Sequence, residues 1–379
     1  MTALKIIFVI KALSIQGGGA ERVLVEVASG LAKRGHHVTV VTNDQVGQPS
    51  YYSLHPSVHQ INLGIGVVGG KTKPMEAIRR MLAMRRVLVG LKPDVVIGFM
   101  HSTYIPLGFA LVGTGIPMVA SEHIGIEHYK NRAFQRYLLG FTPLITKAIT
   151  VVSEQIKLEF SPWLRRCMVA VSNPVSFQIG KYADLIGDDK LPKVLLSVGR
   201  LSEQKNQKCL IAAFATIANF IPDWELRIVG EGELRIELER QIRELNLEGR
   251  VQLPGATKNI VGEYLNAQLF VLPSAYESFG LATAEAIAYG LPVVGFADCP
   301  GTNQLIRHNE NGILVSGEDR ILSLANVLKL LMLSTDERCR LGRASSDWLI
   351  EKFGIESILD QWESLLFECD EKVAHNVDG

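Results

Sequence analysis

Leu269-Phe-Val-Leu-Pro-Ser-Ala-Tyr-Glu-Ser-Phe-Gly-Leu-Ala-Thr-Ala-Glu285 passes from a short apolar run, through a loop of turn formers, into a segment with helical spacing. Leu269 to Leu272 reads as a buried strand, Ala282 to Tyr289 as a helix and Pro292 to Gly295 as the next strand. A strand, helix and strand in close succession make a crossover unit whose two strands lie parallel. Reading outward, the same wiring repeats. Just upstream come strand Lys193 to Val198, helix Asn206 to Phe220, strand Leu226 to Gly230 and helix Glu233 to Leu245.

Nearer the amino end an independent series begins with strand Lys5 to Val9, a glycine loop, helix Ala20 to Arg34 and strand Val38 to Thr42. It continues through a basic helix, Pro74 to Leu91, and strands Val95 to Gly98, Pro117 to Ser121 and Ala148 to Val152. Between the two series Gly180 to Pro192 is dense in turn formers and charge, and reads as a linker. Beyond Asp319 the pattern is almost wholly helical and ends in Ile355 to Lys372. The fold class is therefore α/β, with two doubly wound Rossmann-like domains, 1–175 and 190–350, facing across a cleft, followed by a helical segment, 351–379. Open parallel sheets bind ligands beyond the carboxyl ends of their strands, which directs attention to the loops there.

Composition agrees. The 379 residues are too many for one compact domain, and 47% hydrophobic with 21% charged residues excludes disordered and fibrous classes. The net charge of zero hides an asymmetry: residues 1–175 hold 19 Lys and Arg against 9 Asp and Glu, and residues 176–379 hold 20 against 30. A basic half suits an anionic partner such as a phosphate or an anionic membrane surface, although charge drift alone gives the same count. No nucleic acid partner is expected. Five widely spaced cysteines without a C-x-x-C pair fit a reduced, cytoplasmic protein. The first residues lack a signal-peptide pattern. The longest uncharged stretch, Ile105 to Ser121, is broken by Gly108, Gly113, Gly115 and Pro117, and so reads as helix, turn and strand with no membrane span.

Three loops carry residues suited to chemistry. Gln16-Gly-Gly-Gly-Ala-Glu-Arg22 joins the first strand to the first helix, where Gly18 and Gly19 would let an anion approach the backbone N–H groups. A tight turn without a ligand reads the same way, and the run is not the G-x-G-x-x-G dinucleotide fingerprint. Ser197-Val-Gly-Arg-Leu-Ser-Glu-Gln-Lys-Asn206 again leads from strand to helix, with Arg200 and Lys205 able to reach one diphosphate without a metal. Surface ion pairs are the bland alternative. In the opening stretch Glu277 lies in the loop and Glu285 within the helix, around a Phe279-Gly280-Leu281 turn. Two carboxylates just over two helical turns apart can accept hydroxyl groups of a ribose or a pyranose, though a helix cap and a solvent-facing acid satisfy the spacing equally.

The pairing of the E-x7-E motif, Glu277 and Glu285, with the upstream Gly199-Arg-Leu segment ending in Lys205-Asn206 and with the glycine-rich first loop resembles the family-4 retaining glycosyltransferases of the glycosyltransferase-B fold. Three motifs in the family's order, spanning nearly the whole chain, are far more specific than any one. The resemblance implies that Arg200 and Lys205 hold the donor diphosphate, that Glu285 binds the ribose and that Glu277 contacts the transferred sugar. It extends to the turn at Phe279, Gly280 and Leu281, and to His123 beside the donor sugar, at the end of Ser121-Glu-His123. Glu277 and His123 are then the catalytic candidates. The final helix is implied to pack back on the first domain. Two departures stand out: Ser278 replaces a common glycine, and Cys299-Pro-Gly-Thr-Asn-Gln304 replaces a segment ending in Glu.

The resemblance further implies a nucleotide diphosphate sugar donor, UDP-linked galactose, N-acetylgalactosamine or glucose, and no metal or other cofactor. No D-x-D motif occurs. The acceptor domain is similar to that of bacterial enzymes extending polyprenyl-diphosphate-linked glycans. Arg79, Arg80, Arg85 and Arg86 on the basic helix are candidates for an acceptor or membrane-surface contact, with a solvated sheet-covering helix as the alternative. Other readings of the family are a synthase with a soluble acceptor and a non-catalytic assembly partner.

Overall fold

The computed structural model describes residues 2–14, 18–66, 74–130, 132–188, 191–343 and 347–374. They form two compact units, one of residues 1–174 and 353–379 and one of residues 175–352.

Among the described residues of the first unit, seven parallel strands make one sheet: β1 (Lys5–Val9), β2 (His37–Thr42), β3 (His59–Asn62), β4 (Val95–Phe99), β5 (Met118–Glu122), β6 (Ala148–Val151) and β7 (Met168–Ala170). Their spatial order is β3-β2-β1-β4-β5-β6-β7. The central strands β1, β4, β5 and β6 are buried almost throughout, because helices cover both faces of a parallel sheet and each strand then reads as an unbroken apolar run. The covering helices are α1 (Gly19–Lys33), α2 (Pro74–Leu91), α3 (His101–Leu111), α4 (Ala133–Leu139), α5 (Thr142–Ile145), α6 (Glu154–Glu159) and α7 (Pro162–Arg165).

The second unit has six parallel strands among its described residues: β8 (Lys193–Val198), β9 (Trp224–Val229), β10 (Val251–Gly255), β11 (Leu269–Leu272), β12 (Val293–Phe296) and β13 (Gly312–Val315), in the order β10-β9-β8-β11-β12-β13. Its helices are α8 (Gln207–Ile217), α9 (Arg235–Glu244), α10 (Ile260–Leu265), α11 (Leu281–Ala288), α12 (Pro300–Asn303), α13 (Arg320–Leu333), α14 (Thr335–Arg343) and α15 (Asp347–Phe353), whose last residue already belongs to the first unit. Both sheets thus have the doubly wound order, reversing direction between β1 and β4 and between β8 and β11.

The last helix, α16 (Ile355–Ala374), belongs to the first unit. Its Ile358, Leu359, Trp362 and Leu366 are buried, and the Trp362 ring stacks on Phe99 of β4 at 6.3 Å. Gly30 of α1 faces Leu359 so closely that a Cβ there would lie 2.6 Å from Leu359 Cδ1. Arg34, capping α1, adds ion pairs to Glu356, Asp360 and Glu363 at 2.6 to 2.7 Å, and His36 Nε2 lies 2.9 Å from Glu363 Oε1.

Sequence spacing anticipates the central strands and the long helices to within a residue or two, with three corrections. Asn206 is not helical but left-handed, at φ 54°, and α8 starts one residue later. Phe220 lies beyond α8, in a 3-10 turn. Strands β3, β7, β10 and β13, absent from the sequence reading, are the four sheet edges.

Candidate functional site

In the second unit the chain leaves β8 and β11, the two strands that flank the reversal of strand order, by loops that are laced together. Ala275 N donates to Gln204 O at 2.8 Å, Gln204 Nε2 to Tyr276 O at 2.9 Å and Asn206 Nδ2 to Pro273 O at 3.3 Å. A glycine enables the approach on the other side: at Gly230, φ 147°, a Cβ would sit 2.0 Å from Gly199 O. The lacing brings the Lys205 ammonium onto the Glu277 carboxylate, where Nζ pairs with Oε1. Ser274 Oγ donates to the same oxygen at 2.6 Å. A carboxylate only 8% exposed requires such partners, since an unpaired buried charge is costly. Gly301 of α12 closes on this loop, with its N–H on Glu277 O at 3.0 Å, in the segment where the sequence departs from the family pattern.

Arg200 contrasts with Lys205. Its guanidinium is exposed, has no hydrogen bond or ion pair among the described residues, and is free to take an anion in a bidentate grip. Gln207 Nε2 fixes its backbone, donating to Arg200 O at 2.8 Å. Gly280, left-handed at φ 84°, starts α11 at Leu281, and the adjacent Phe279 ring is buried. Glu285, only 3% exposed, lies inside α11 and accepts from Tyr264 Oη at 2.8 Å; Tyr264 itself stacks on Tyr289 at 5.5 Å. The two acids of the E-x7-E motif therefore have different anchors: Lys205 and Ser274 for Glu277, and Tyr264 for Glu285.

In the first unit Gly18 caps α1 and Gly19 is its first residue, while Gln16 and Gly17 of the same loop lie outside the described residues. Asp44, buried just past β2, fixes the entry to that loop by accepting from Leu13 N at 2.7 Å, Ser14 N at 3.3 Å and Ser14 Oγ. His123 follows the last residue of β5. Its Nε2 is 2.9 Å from Ser121 Oγ and its ring stacks on Phe99 at 4.8 Å. Burial pushes its pKa down to about 4, opposed by a hydrogen bond with Asn173, so the ring is neutral at pH 7 and can act as a hydrogen-bond partner but not as a resident cation. His101, at the start of α3, is likewise lowered to about 4 by burial, reinforced by His128 and Arg132.

Sequence reasoning missed three of the acids and hydroxyls that shape these loops: Asp44, Ser274 and Glu122. Glu122 is buried and accepts from Tyr104 Oη and Tyr129 Oη at 2.6 Å each and from Ile124 N at 3.0 Å. Burial raises its pKa, and the tyrosine and backbone bonds pull it back. The available signal was position: each of the three lies at or just beyond the carboxyl end of a strand. Of the four arginines on α2, two are committed internally. Arg80 pairs with Glu76 at 2.6 Å and donates to Ile65 O at 2.9 Å, and Arg85 donates to Ala110 O and Val112 O at 2.6 and 2.9 Å. Arg79 and Arg86 are exposed. Between α2 and α3 lies a cavity of about 230 Å³, lined by Met81, Met84 and Leu107 with Lys11, Arg80 and Thr103 as polar groups. Among the described residues no three metal-ligating acids, histidines or cysteines gather, and no helix is long and apolar enough to cross a membrane.

Comparison with known proteins adds the following. Residues 17–176 match the family model described as Glycosyltransferase Family 4, and residues 184–348 the one described as Glycosyl transferases group 1. A Campylobacter jejuni GalNAc-alpha-(1->4)-GalNAc-alpha-(1->3)-diNAcBac-PP-undecaprenol alpha-1,4-N-acetyl-D-galactosaminyltransferase is 27% identical, with 96% of this chain and 99% of the relative covered. The Erwinia amylovora amylovoran biosynthesis glycosyltransferase AmsD is 24% identical over 96% and 99%. Among solved structures, sucrose-phosphate synthase of Thermosynechococcus elongatus superposes with a TM-score of 0.80 at 21% identity, covering 96% of this chain and 98% of that one. Anabaena HepE in complex with UDP and glucose does so with 0.75 at 19%, covering 96% and 99%. These structures share the two-domain glycosyltransferase-B fold.

Proposed function

This chain is a glycosyltransferase by both of its domains, and from that premise we propose that it moves a hexose or N-acetylhexosamine from a UDP-linked donor to a polyprenyl-diphosphate-linked glycan, with retention of anomeric configuration and without a metal. The observation that carries the reading is the cation pair at the reversal of the second sheet: Arg200 unengaged, and Lys205 held on Glu277. A diphosphate arriving there meets two positive groups, one of them already fixed in place. Electrostatic stabilisation of this kind replaces what a divalent ion supplies elsewhere.

In this assignment Arg200 and Lys205 hold the diphosphate and stabilise it as it leaves, while the acceptor hydroxyl attacks from the face it vacates. Glu277, already tied to Lys205, orients the sugar, and Glu285, oriented by Tyr264, takes the ribose hydroxyls. His123, neutral, offers a hydrogen bond to a sugar hydroxyl. The acceptor falls to the first unit, whose cavity combines apolar walls with the Lys11 ammonium. Support for a lipid-linked acceptor comes from the undecaprenol-linked substrate in the name of the Campylobacter relative and from the positive balance of residues 1–175. That substrate class agrees with a peripheral position at the cytoplasmic face of a membrane.

Thermal shift with UDP, GDP, ADP and their sugars, in EDTA throughout, tests the donor assignment. Stabilisation by UDP and its sugars is expected. A shift with none of them, or one that returns only when a divalent ion is restored, overturns the metal-independent reading.

A further inference from the structure

Helix α4 and the short α5 follow one another through Gly140, and on them Phe134, Tyr137, Phe141 and Leu144 recur at i, i+3, i+7 and i+10, one face of a helical path. The usual reason for such a stripe is burial, yet these side chains are 72%, 65%, 36% and 68% exposed. Tyr137 and Phe141 meet edge to face at 5.1 Å. Trp163 of α7, 48% exposed, joins them by donating its indole N–H to Gly140 O at 3.0 Å. Four of the five project from one face of about three consecutive turns of chain, a contiguous patch of a kind that soluble surfaces rarely leave bare.

The charge around the patch says what covers it. From Lys130 to Ser153 the sequence holds Lys130, Arg132, Arg136 and Lys147 and no acidic residue. All four are exposed; Lys130 pairs with Glu127 at 2.9 Å, and Arg132, Arg136 and Lys147 have no ion pair among the described residues. Aromatic and leucine side chains with a basic border are the composition of a segment that lies in a bilayer interface, the rings at headgroup depth and the cations on anionic lipid. A second copy of the chain fits less well, since a twofold contact would bring two sets of uncompensated cations together. We propose that the α4–α5 stripe with Trp163 is the surface by which the first unit rests on an anionic membrane. This deepens the lipid-linked reading above, because such an acceptor is presented at a bilayer surface. It also moves the membrane contact away from the α2 arginines, two of which are spent inside the protein.

The test is co-sedimentation of the full chain with vesicles of phosphatidylethanolamine and phosphatidylglycerol, against vesicles of phosphatidylcholine alone. Wild-type protein is expected to pellet with the anionic vesicles, and Phe134→Ser/Leu144→Ser to bind them at least about tenfold more weakly. Arg136→Glu/Lys147→Glu should weaken binding too and remove its salt sensitivity. Unchanged melting and UDP stabilisation in the variants show that they fold. A wild-type protein that stays in the supernatant overturns the proposal, as does a stripe variant that pellets like wild type. So does a wild-type dimer in sedimentation velocity that the stripe variant splits, which would make the face a protein interface. Vesicle binding through the stripe combined with transfer only to soluble acceptors would uphold this surface and sink the lipid-linked acceptor.

Discussion

Lys205 and Glu277 each depend on the other for a neutral, satisfied site, so their contributions to stability and to turnover can be separated by mutation. Removing Lys205 leaves a carboxylate that is 8% exposed with Ser274 as a remaining partner, a loss that destabilises the loop as well as the leaving group. Lys205→Ala should cut kcat about 100-fold or more and lower the melting temperature, whereas Lys205→Ala/Glu277→Gln should regain melting temperature without regaining turnover. Full turnover in the single variant with any identified donor would show the diphosphate assignment to be wrong. Arg200→Ala, which breaks no internal bond, should act on donor binding and turnover with the melting curve unmoved. At this scale the sequence disclosed the cations and the two motif acids, because charge and spacing are visible in a string. It did not disclose that Lys205 and Glu277 hold each other, nor that Ser274, Asp44 and Glu122 set the loops, because hydrogen bonds between distant residues leave no periodic trace.

Among the elements, burial decided what could be read. The central strands are apolar along their length since both sheet faces are covered, and Lys5–Val9, Pro74–Leu91 and Lys193–Val198 match their sequence reading end for end. Each strand that went unread is an edge. His59-Gln-Ile-Asn62 is polar and half-buried, Met168–Ala170 has three residues, and Val251–Gly255 carries Pro254 and a register shift against β9. Packing of α1 on α16 gives the element-scale prediction. A methyl group at Gly30 meets Leu359, the end of a side chain that can yield only partly in a filled interface. Gly30→Ala should therefore cost about 1–3 kcal/mol in urea unfolding, and Leu359→Ala in the same chain should recover part of it. Equal stability of Gly30→Ala and wild type would mean that α16 is not seated as described.

For the molecule, the division into units is not a division of the sequence at one point. Residues 175–352 are continuous and enclose their own core around Leu210, Phe214, Trp224 and Leu328, while the first unit needs α16 from beyond them. Residues 175–352 expressed alone should show cooperative melting and, if the donor site is complete there, a shift with UDP. Residues 1–174 alone, with the Gly30 face of α1 and the Phe99 ring of β4 no longer covered by Leu359 and Trp362, should aggregate or melt without a cooperative transition. Circular dichroism on both fragments decides it, and a well-folded 1–174 would demote α16 to an accessory. The sequence showed two Rossmann-like series, but the stretch read as a linker is part of the second unit: Ala183 N donates to Tyr289 O at 2.9 Å and Asp184 N to Leu265 O at 3.4 Å. That α16 returns to the first unit came only from the family resemblance, since an amphipathic helix announces that it must bury a face but not whose.

The return of α16 also sets an order of events on the ribosome. Synthesis ordinarily lets the segment made first fold first, at about 5–20 residues per second. Here β1 to β7 emerge early but must wait, incomplete along α1, until residues 355–374 leave the exit tunnel, and the whole of the second unit is made in the interval. The later-made unit is thus the first able to finish, and a nascent chain stalled anywhere before α16 presents the uncovered side of α1 to the chaperones that survey it.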